Sequence, residues 1–183
     1  RLVAGSATRP PEARNAAATR WAYAVNGALY PLWHLLAPRD AFDPFPGWLG
    51  TGAWLIGCSA LPALVPALRP RQGVLLASAP YAVALHLFAL ATLNPHEPFY
   101  AIASVMSIAL TAMITRNQPA LVSYTVFIGV LATGSYTITR EPLTLAYWGA
   151  MVLMLVFAHL WLQVQLEAEL LHHKHRAELE TAI

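Results

Sequence analysis

The chain has 183 residues, of which 57% are apolar and only 11% charged, and its formal net charge is +2. Soluble domains carry about 25% charged residues, so this composition excludes an ordinary water-soluble domain, and so small a surplus of positive charge does not suit a nucleic-acid binder. The single cysteine, Cys58, excludes a disulfide framework within the chain.

Residues 1–19 are rich in Ala, Pro and Arg and read as a flexible tail. No apolar core with a cleavage site precedes the first hydrophobic stretch, so this is not a signal peptide. A membrane-spanning helix needs about 20 largely apolar residues. Six stretches qualify: 21–38, 48–68, 73–93, 98–115, 119–138 and 143–165. The joints between them hold helix breakers: PRDAFDPFPG at 38–47, RPRQG at 69–73, NPHEP at 94–98, RNQP at 116–119 and TREP at 139–142. Proline suits a helix start because the N–H it lacks has no partner there in any case. The first stretch is the weakest, because Asn26, Pro31 and His34 interrupt it; a segment lying along the membrane surface is the competing reading.

Lys and Arg favour cytoplasmic loops. With six spans, Arg1, Arg9, Arg14, Arg20, Arg69, Arg71, Arg116, Lys174 and Arg176 share one side, against Arg39 and Arg140 on the other. Both termini are therefore expected in the cytoplasm. The expected fold is an all-α integral membrane protein: a tail at 1–19, a six-transmembrane-helix bundle at 20–165, and a cytoplasmic signalling helix at 166–183. The loops opposite the cytoplasm are ten residues or fewer, so a ligand must arrive at the membrane surface or through the bilayer.

Polar residues inside a membrane are costly and often functional. His34 and His86 fall at similar depth near the outer ends of spans one and three, whereas His159 lies in the inner half of span six. Each is read either as a satisfied packing residue or, for the pair His34 and His86, as a grip on a ligand headgroup. Tyr100, Ser104, Ser107, Thr111 and Thr115 recur at helical spacing and form an inward polar stripe, either as helix-to-helix glue or as a cavity wall. Tyr30, Trp33, Phe99, Tyr100 and Trp148 crowd the outer third, as an interfacial belt or a pocket lining does. The candidate ligand-binding set is His34, Tyr81, His86, Phe99, Tyr100, Ser104 and Trp148. Ala53 and Gly57, with Gly50 and Ala60 nearby, form a small-residue face for close helix approach, within the bundle or between two copies. No Asp or Glu lies inside any span, which argues against ion-coupled transport.

No Gly or Pro follows Gly149. An unbroken closing helix is therefore expected to leave the membrane, with Leu166, Leu170, His173 and Ala177 spaced as a short coiled-coil-like seam that transmits a signal. His172, His173 and His175 do not converge on one helix face and read as a solvated surface, not a metal site. The chain holds no recognisable catalytic machinery and no nucleotide-binding glycine loop.

The stretches ALYPLWHLLAP, LPALVPALRPRQ and LNPHEPFYAIASVM, with an aromatic sixth span running into a charged helix, resemble the six-span sensor region of the CqsS-type quorum-sensing receptor kinases over about residues 24–175. That resemblance implies an α-hydroxyketone-type signal, with Tyr100 at the place of the family's aromatic pocket residue; the family's span-four serine falls on Ala103, next to Ser104. Similar modules are attached to bacterial class III adenylate cyclases. The NPHEPF hairpin is also similar to the Asn-Pro-Phe loop of RegB-type redox sensor kinases, with His96, Glu97 and Pro98 intervening. These resemblances imply a receptor of the bacterial cytoplasmic membrane that is itself no enzyme. It would be homodimeric and bind a small lipophilic ligand and membrane lipid but no nucleic acid, and it would drive a kinase or cyclase output domain. No cofactor is expected; a quinone- or haem-based redox sensor and a passive membrane anchor are the alternatives.

Overall fold

A computed structural model describes residues 11–115 and 118–182, with side chains described except at 11–16, 112–114, 142–145, 173, 176–177 and 179–182. Among these residues the chain is all helical, without strands. The helices are α1 (Pro11–Leu29), α2 (Phe45–Leu64), α3 (Gln72–Leu93), α4 (Pro98–Ile114), α5 (Gln118–Thr139) and α6 (Pro142–Ala182). Residues 1–10, Arg116, Asn117 and Ile183 lie outside the described residues.

Most boundaries fall at the expected breakers. Pro98 and Pro142 open their helices, and Asn94 closes α3 with its backbone N–H on the carbonyl of Leu90. Arg140 takes the left-handed conformation (φ 52°) after α5 and returns its N–H to Tyr136 O at 2.8 Å, a helix stop usually made with glycine.

Two stretches differ from the sequence expectation. Helix α1 begins at Pro11, inside the expected tail, because PEARNAAATR combines a proline at the first helical position with strong helix formers. It then tightens into a 3₁₀ segment, Tyr30–Leu36. The Pro31 ring would clash with the carbonyl of Gly27 in a regular α-helix, and the tighter turn is compatible with it. A second 3₁₀ segment, Pro66–Arg71, joins α2 to α3.

Three segments are long and apolar enough to cross a membrane: Pro66–Leu93, Gln118–Thr139 and Ala146–His172, with 28, 22 and 27 residues. A shorter apolar helix covers Pro98–Thr111. Helix α2 does not reach the same hydropathy, since Trp, Gly, Thr and Pro dilute its leucines, and α1 starts in charged sequence. The outward faces of the long helices are hydrocarbon: Val126, Val130, Leu153 and Phe157 are exposed, Leu153 at 70%. The helix hydroxyls turn inward on their own backbone. Ser59 donates to Leu55 O, Ser104 to Tyr100 O, Thr115 to Thr111 O and Thr133 to Gly129 O, at 2.7–2.9 Å. In lipid such back-bonding satisfies a proton that water would otherwise take. Among the described residues the chain is thus all helical, with three helices long and apolar enough to cross a membrane.

The chain divides into two compact units, Arg1–Asn94 and Pro95–Ile183. In the first, α2 is central, with α1 and α3 packed against it. The α1–α2 crossing is made by glycines. A Cβ on Gly27 would sit 2.7 Å from Gly52 O and 2.9 Å from Leu55 Cβ, and one on Gly52 would sit 2.7 Å from Gly27 O. The expected small-residue face on α2 is not the one used here. Gly50 and Ala53 are exposed, and a Cβ on Gly57 would meet only Leu61 of the same helix. The residues that meet Gly27 are Gly52, Leu55 and Ile56. In the second unit α6 is central, with α4 and α5 packed on it. Its core includes Leu121, Ala158 and Leu162, against which Leu166 packs.

Candidate functional site

The first unit holds a buried polar and aromatic cluster. The loop 37–44 ends in Pro44–Phe45–Pro46, which starts α2 and places Asp43 just ahead of the helix, where the dipole favours an acid. The Asp43 side chain is only 5% exposed. Its two oxygens are both used: His34 Nδ1 lies 2.7 Å from Oδ2, and Trp48 Nε1 donates to Oδ1 at 2.5 Å. The 3₁₀ segment supplies His34, and α2 supplies Trp48 one turn in. A carboxylate this deep requires both donors, since burying it unpaired would cost several kcal/mol.

Trp48 carries the cluster on to α3. Its ring meets His86 edge-on, with centroids 4.9 Å apart, and Tyr30 at 5.0 Å. The Tyr30 hydroxyl lies 3.1 Å from His86 Nδ1. The other ring nitrogen, His86 Nε2, is buried without a hydrogen-bond partner among the described residues. It faces Gly47, where a Cβ would sit 2.6 Å away. The His34 ring lies tilted against Phe45, with centroids 5.1 Å apart. The structure thus joins His34 and His86 through Asp43, Trp48 and Tyr30. The arrangement is a clamp between the 3₁₀ segment, α2 and α3.

Asn94 holds the loop that carries Asp43. Its Oδ1 accepts from Phe42 N at 2.8 Å, and its Nδ2 donates to Phe42 O at 2.9 Å and Leu90 O at 2.8 Å. Asn94→Asp keeps the shape but turns an oxygen toward both carbonyls. The expected result is a loss of about 2 kcal/mol, because both Nδ2 bonds are lost and Phe42 O is left without a donor, while Leu90 O keeps the Asn94 backbone N–H, with faster amide exchange at Phe42. Unchanged exchange and an unchanged melt would show that Asn94 does not hold the loop.

The other expected site residues are dispersed. Tyr81 is half-buried on α3, about 140° round the helix from His86. Phe99, Tyr100, Ser104 and Trp148 belong to the second unit. There Tyr100 and Ser104 are buried, and Phe99 meets the Tyr100 ring edge-on at 5.3 Å. Thr111 is buried as well, so the polar stripe of α4 does face inward. Leu170 is 69% exposed, and the side chains of His173 and Ala177 lie outside the described residues.

Trp148 lines a pocket between α5 and α6 of about 200 Å³. Its exposed wall is hydrocarbon almost throughout, from Ile128, Ala132, Met151 and Leu155; Thr125 and His159 also line it but turn almost no polar surface into it. His159 Nε2 lies 3.2 Å from Thr125 Oγ1, whose proton goes to Leu121 O at 2.8 Å. His159 stands apart from His34 and His86 in the sequence, and nothing there marks Thr125 as its partner. The Thr125–His159 pairing has no signal in sequence spacing, because it depends on the register between two helices. Asp43 did carry one, an acid directly ahead of a proline-led helix start.

Comparison with known protein families, with characterised proteins and with solved structures gives no match.

Proposed function

We propose that this chain is the membrane-sensor part of a receptor of the bacterial cytoplasmic membrane. It crosses the bilayer six times with both termini in the cytoplasm, as the arginine distribution favours. A small lipophilic signal binds within the helices and shifts the balance between two packings. The last helix carries that shift to a kinase or cyclase output domain, working as a homodimer. The chain itself performs no chemistry.

The observation that carries this reading is α6. It runs 41 residues from Pro142 to Ala182 without a break. At ~1.5 Å per residue that is about 60 Å, against about 30 Å of hydrocarbon. Leu166, where the apolar face gives way to charge, still packs on the core of the second unit. Movement of that core therefore has a stiff lever attached to it.

The test is a fusion of the chain to a cyclase or kinase catalytic domain, with residues inserted after Leu171. Two inserted residues turn the far end by about 200° and seven restore it to within about 20°. Output is expected to be lost or inverted with two and recovered with seven. Output indifferent to insertion length, or preserved across a flexible Gly-Ser insert, is what a passive anchor produces, and it overturns the lever. In the same fusion, Tyr100→Ala and His86→Ala are expected to change the response to a lipophilic signal.

A further inference from the structure

The two ends of the first unit differ in charge. Helix α1 runs antiparallel to α2, because Gly27 meets Gly52, Leu55 and Ile56 while Pro31, further on, meets Gly52. Arg20 therefore lies on the side of that crossing toward the 3₁₀ turn Pro66–Arg71, which joins α2 to α3. The turn itself adds Arg69 and Arg71. At the other end stand Arg39, Asp40 and Asp43, in the loop that Asn94 holds through Phe42. Among the described side chains, one end thus has arginines and no acid, whereas the other has more acid than base. Arg69 and Arg71 are exposed and Arg20 is half-buried. No carboxylate among the described residues pairs with any of the three.

The depth of the turn gives these charges a neighbour. Helix α3 has 22 residues, which at ~1.5 Å each make about 33 Å, close to the ~30 Å of bilayer hydrocarbon. Arg71 directly precedes its first residue, Gln72. When α3 crosses the bilayer, Arg69 and Arg71 sit at the level of the lipid phosphates. The surface beside them is bare hydrocarbon: Leu64 is 75% exposed and Val74 74%. The approach is open, since a Cβ on Gly73 would meet nothing within 4 Å. Unpaired cations at phosphate depth, next to exposed leucine and valine, match a molecule with an anionic head and hydrocarbon chains.

The head follows from the charges. A guanidinium presents parallel N–H donors that fit a phosphate. A zwitterionic head also brings an ammonium, and this end of the unit has no described acid to receive it. A head charged only at its phosphate brings no such cation. We propose that the α2–α3 turn binds an anionic phospholipid of the phosphatidylglycerol kind, its phosphate held by Arg69 and Arg71 with Arg20 adding charge, and its chains along Leu64 and Val74. The inference rests on α3 crossing the bilayer and not on the receptor reading.

The experiment uses the full chain in phosphatidylcholine nanodiscs doped with a photoreactive lipid, its diazirine near the head end of one acyl chain. The probe is phosphatidylglycerol in one arm and phosphatidylcholine in the other. Labelled residues are read by mass spectrometry. Phosphatidylglycerol is expected to label residues 61–75 at least tenfold above phosphatidylcholine, and residues 39–49 without preference. Arg69→Gln and Arg71→Gln are each expected to cut the ratio about fivefold, and together to bring it near one. Arg39→Gln is expected to leave it unchanged. If the double variant fails to fold, the single variants carry the test. Equal labelling by the two lipids, or a ratio that survives loss of the turn arginines, overturns the proposal. A ratio that falls as far with Arg39→Gln reports the field of the whole chain and overturns the site. Excess glycerol phosphate is expected to leave the labelling in place; displacement by it assigns the arginines to a soluble phosphate and overturns the lipid.

Discussion

Gly52→Ala is expected to lower the thermal midpoint of the detergent-solubilised chain by about 5 °C, whereas Gly50→Ala, two residues away in the same helix, raises it slightly. Both substitutions gain up to ~1 kcal/mol of helix propensity. At Gly50 nothing lies within 4 Å of the new methyl, so the gain stands. At Gly52 the methyl falls 2.7 Å from the Gly27 carbonyl oxygen. That atom is backbone, so the helices must part, at the upper end of the ~1–3 kcal/mol typical of overpacking. The clash outweighs the propensity by about 2 kcal/mol, and each kcal/mol moves the midpoint of a chain this size by ~2–4 °C. Gly27→Ala is the harsher change, because its methyl meets three atoms below 3.0 Å, among them Leu55 Cβ. Once the helices have separated, the second methyl costs little, so the double variant is expected to be less damaged than the two single effects predict. Equal midpoints for Gly50→Ala and Gly52→Ala would remove the glycine crossing from the account.

Asp43→Ala is expected to cost about 3 kcal/mol, and Asp43→Asn less than half of that. Truncation leaves the Trp48 indole N–H and His34 Nδ1 without the acceptor they share. Breaking a buried pair costs ~3–5 kcal/mol, and the low end applies because the His34 side chain is 32% exposed and recovers water. The amide keeps both contacts. Its oxygen accepts from Trp48, and its NH₂ donates to His34 once the imidazole proton moves to Nε2. Urea or thermal unfolding of the two variants, with tryptophan emission as a second readout, separates loss of the acceptor from loss of charge. If Asn is as damaging as Ala, charge and not hydrogen bonding holds the clamp. If both are silent, the clamp contributes nothing to stability.

Much of the helix layout was legible because its causes are local. Proline, asparagine and short polar runs interrupt apolar stretches, so the ends at Leu93, Pro98, Thr139 and Pro142 lie within a residue or so of expectation. The continuity of α6 followed from the absence of Gly and Pro after Gly149. The 3₁₀ turn at Tyr30–Leu36 and the early start of α1 were less legible. Both depend on how a proline or an alanine-rich run is accommodated, and an apolar count does not register that.

The site was legible only as a stock of parts. His34, His86, Tyr100, Ser104 and Trp148 could be named as polar or aromatic groups out of place in hydrocarbon, since that cost attaches to the residue itself. Their partners could not be named. Asp43 counted as a loop charge and Asn94 as a breaker, until folding brought His34 onto the one and Phe42 onto the other. The composition of this chain determined its apolar character, its helices and the continuity of its last helix, because those follow from neighbours in sequence. The tertiary structure decided which glycines touch, which carboxylate is buried and where the pocket opens, because those depend on the register between helices far apart in the chain.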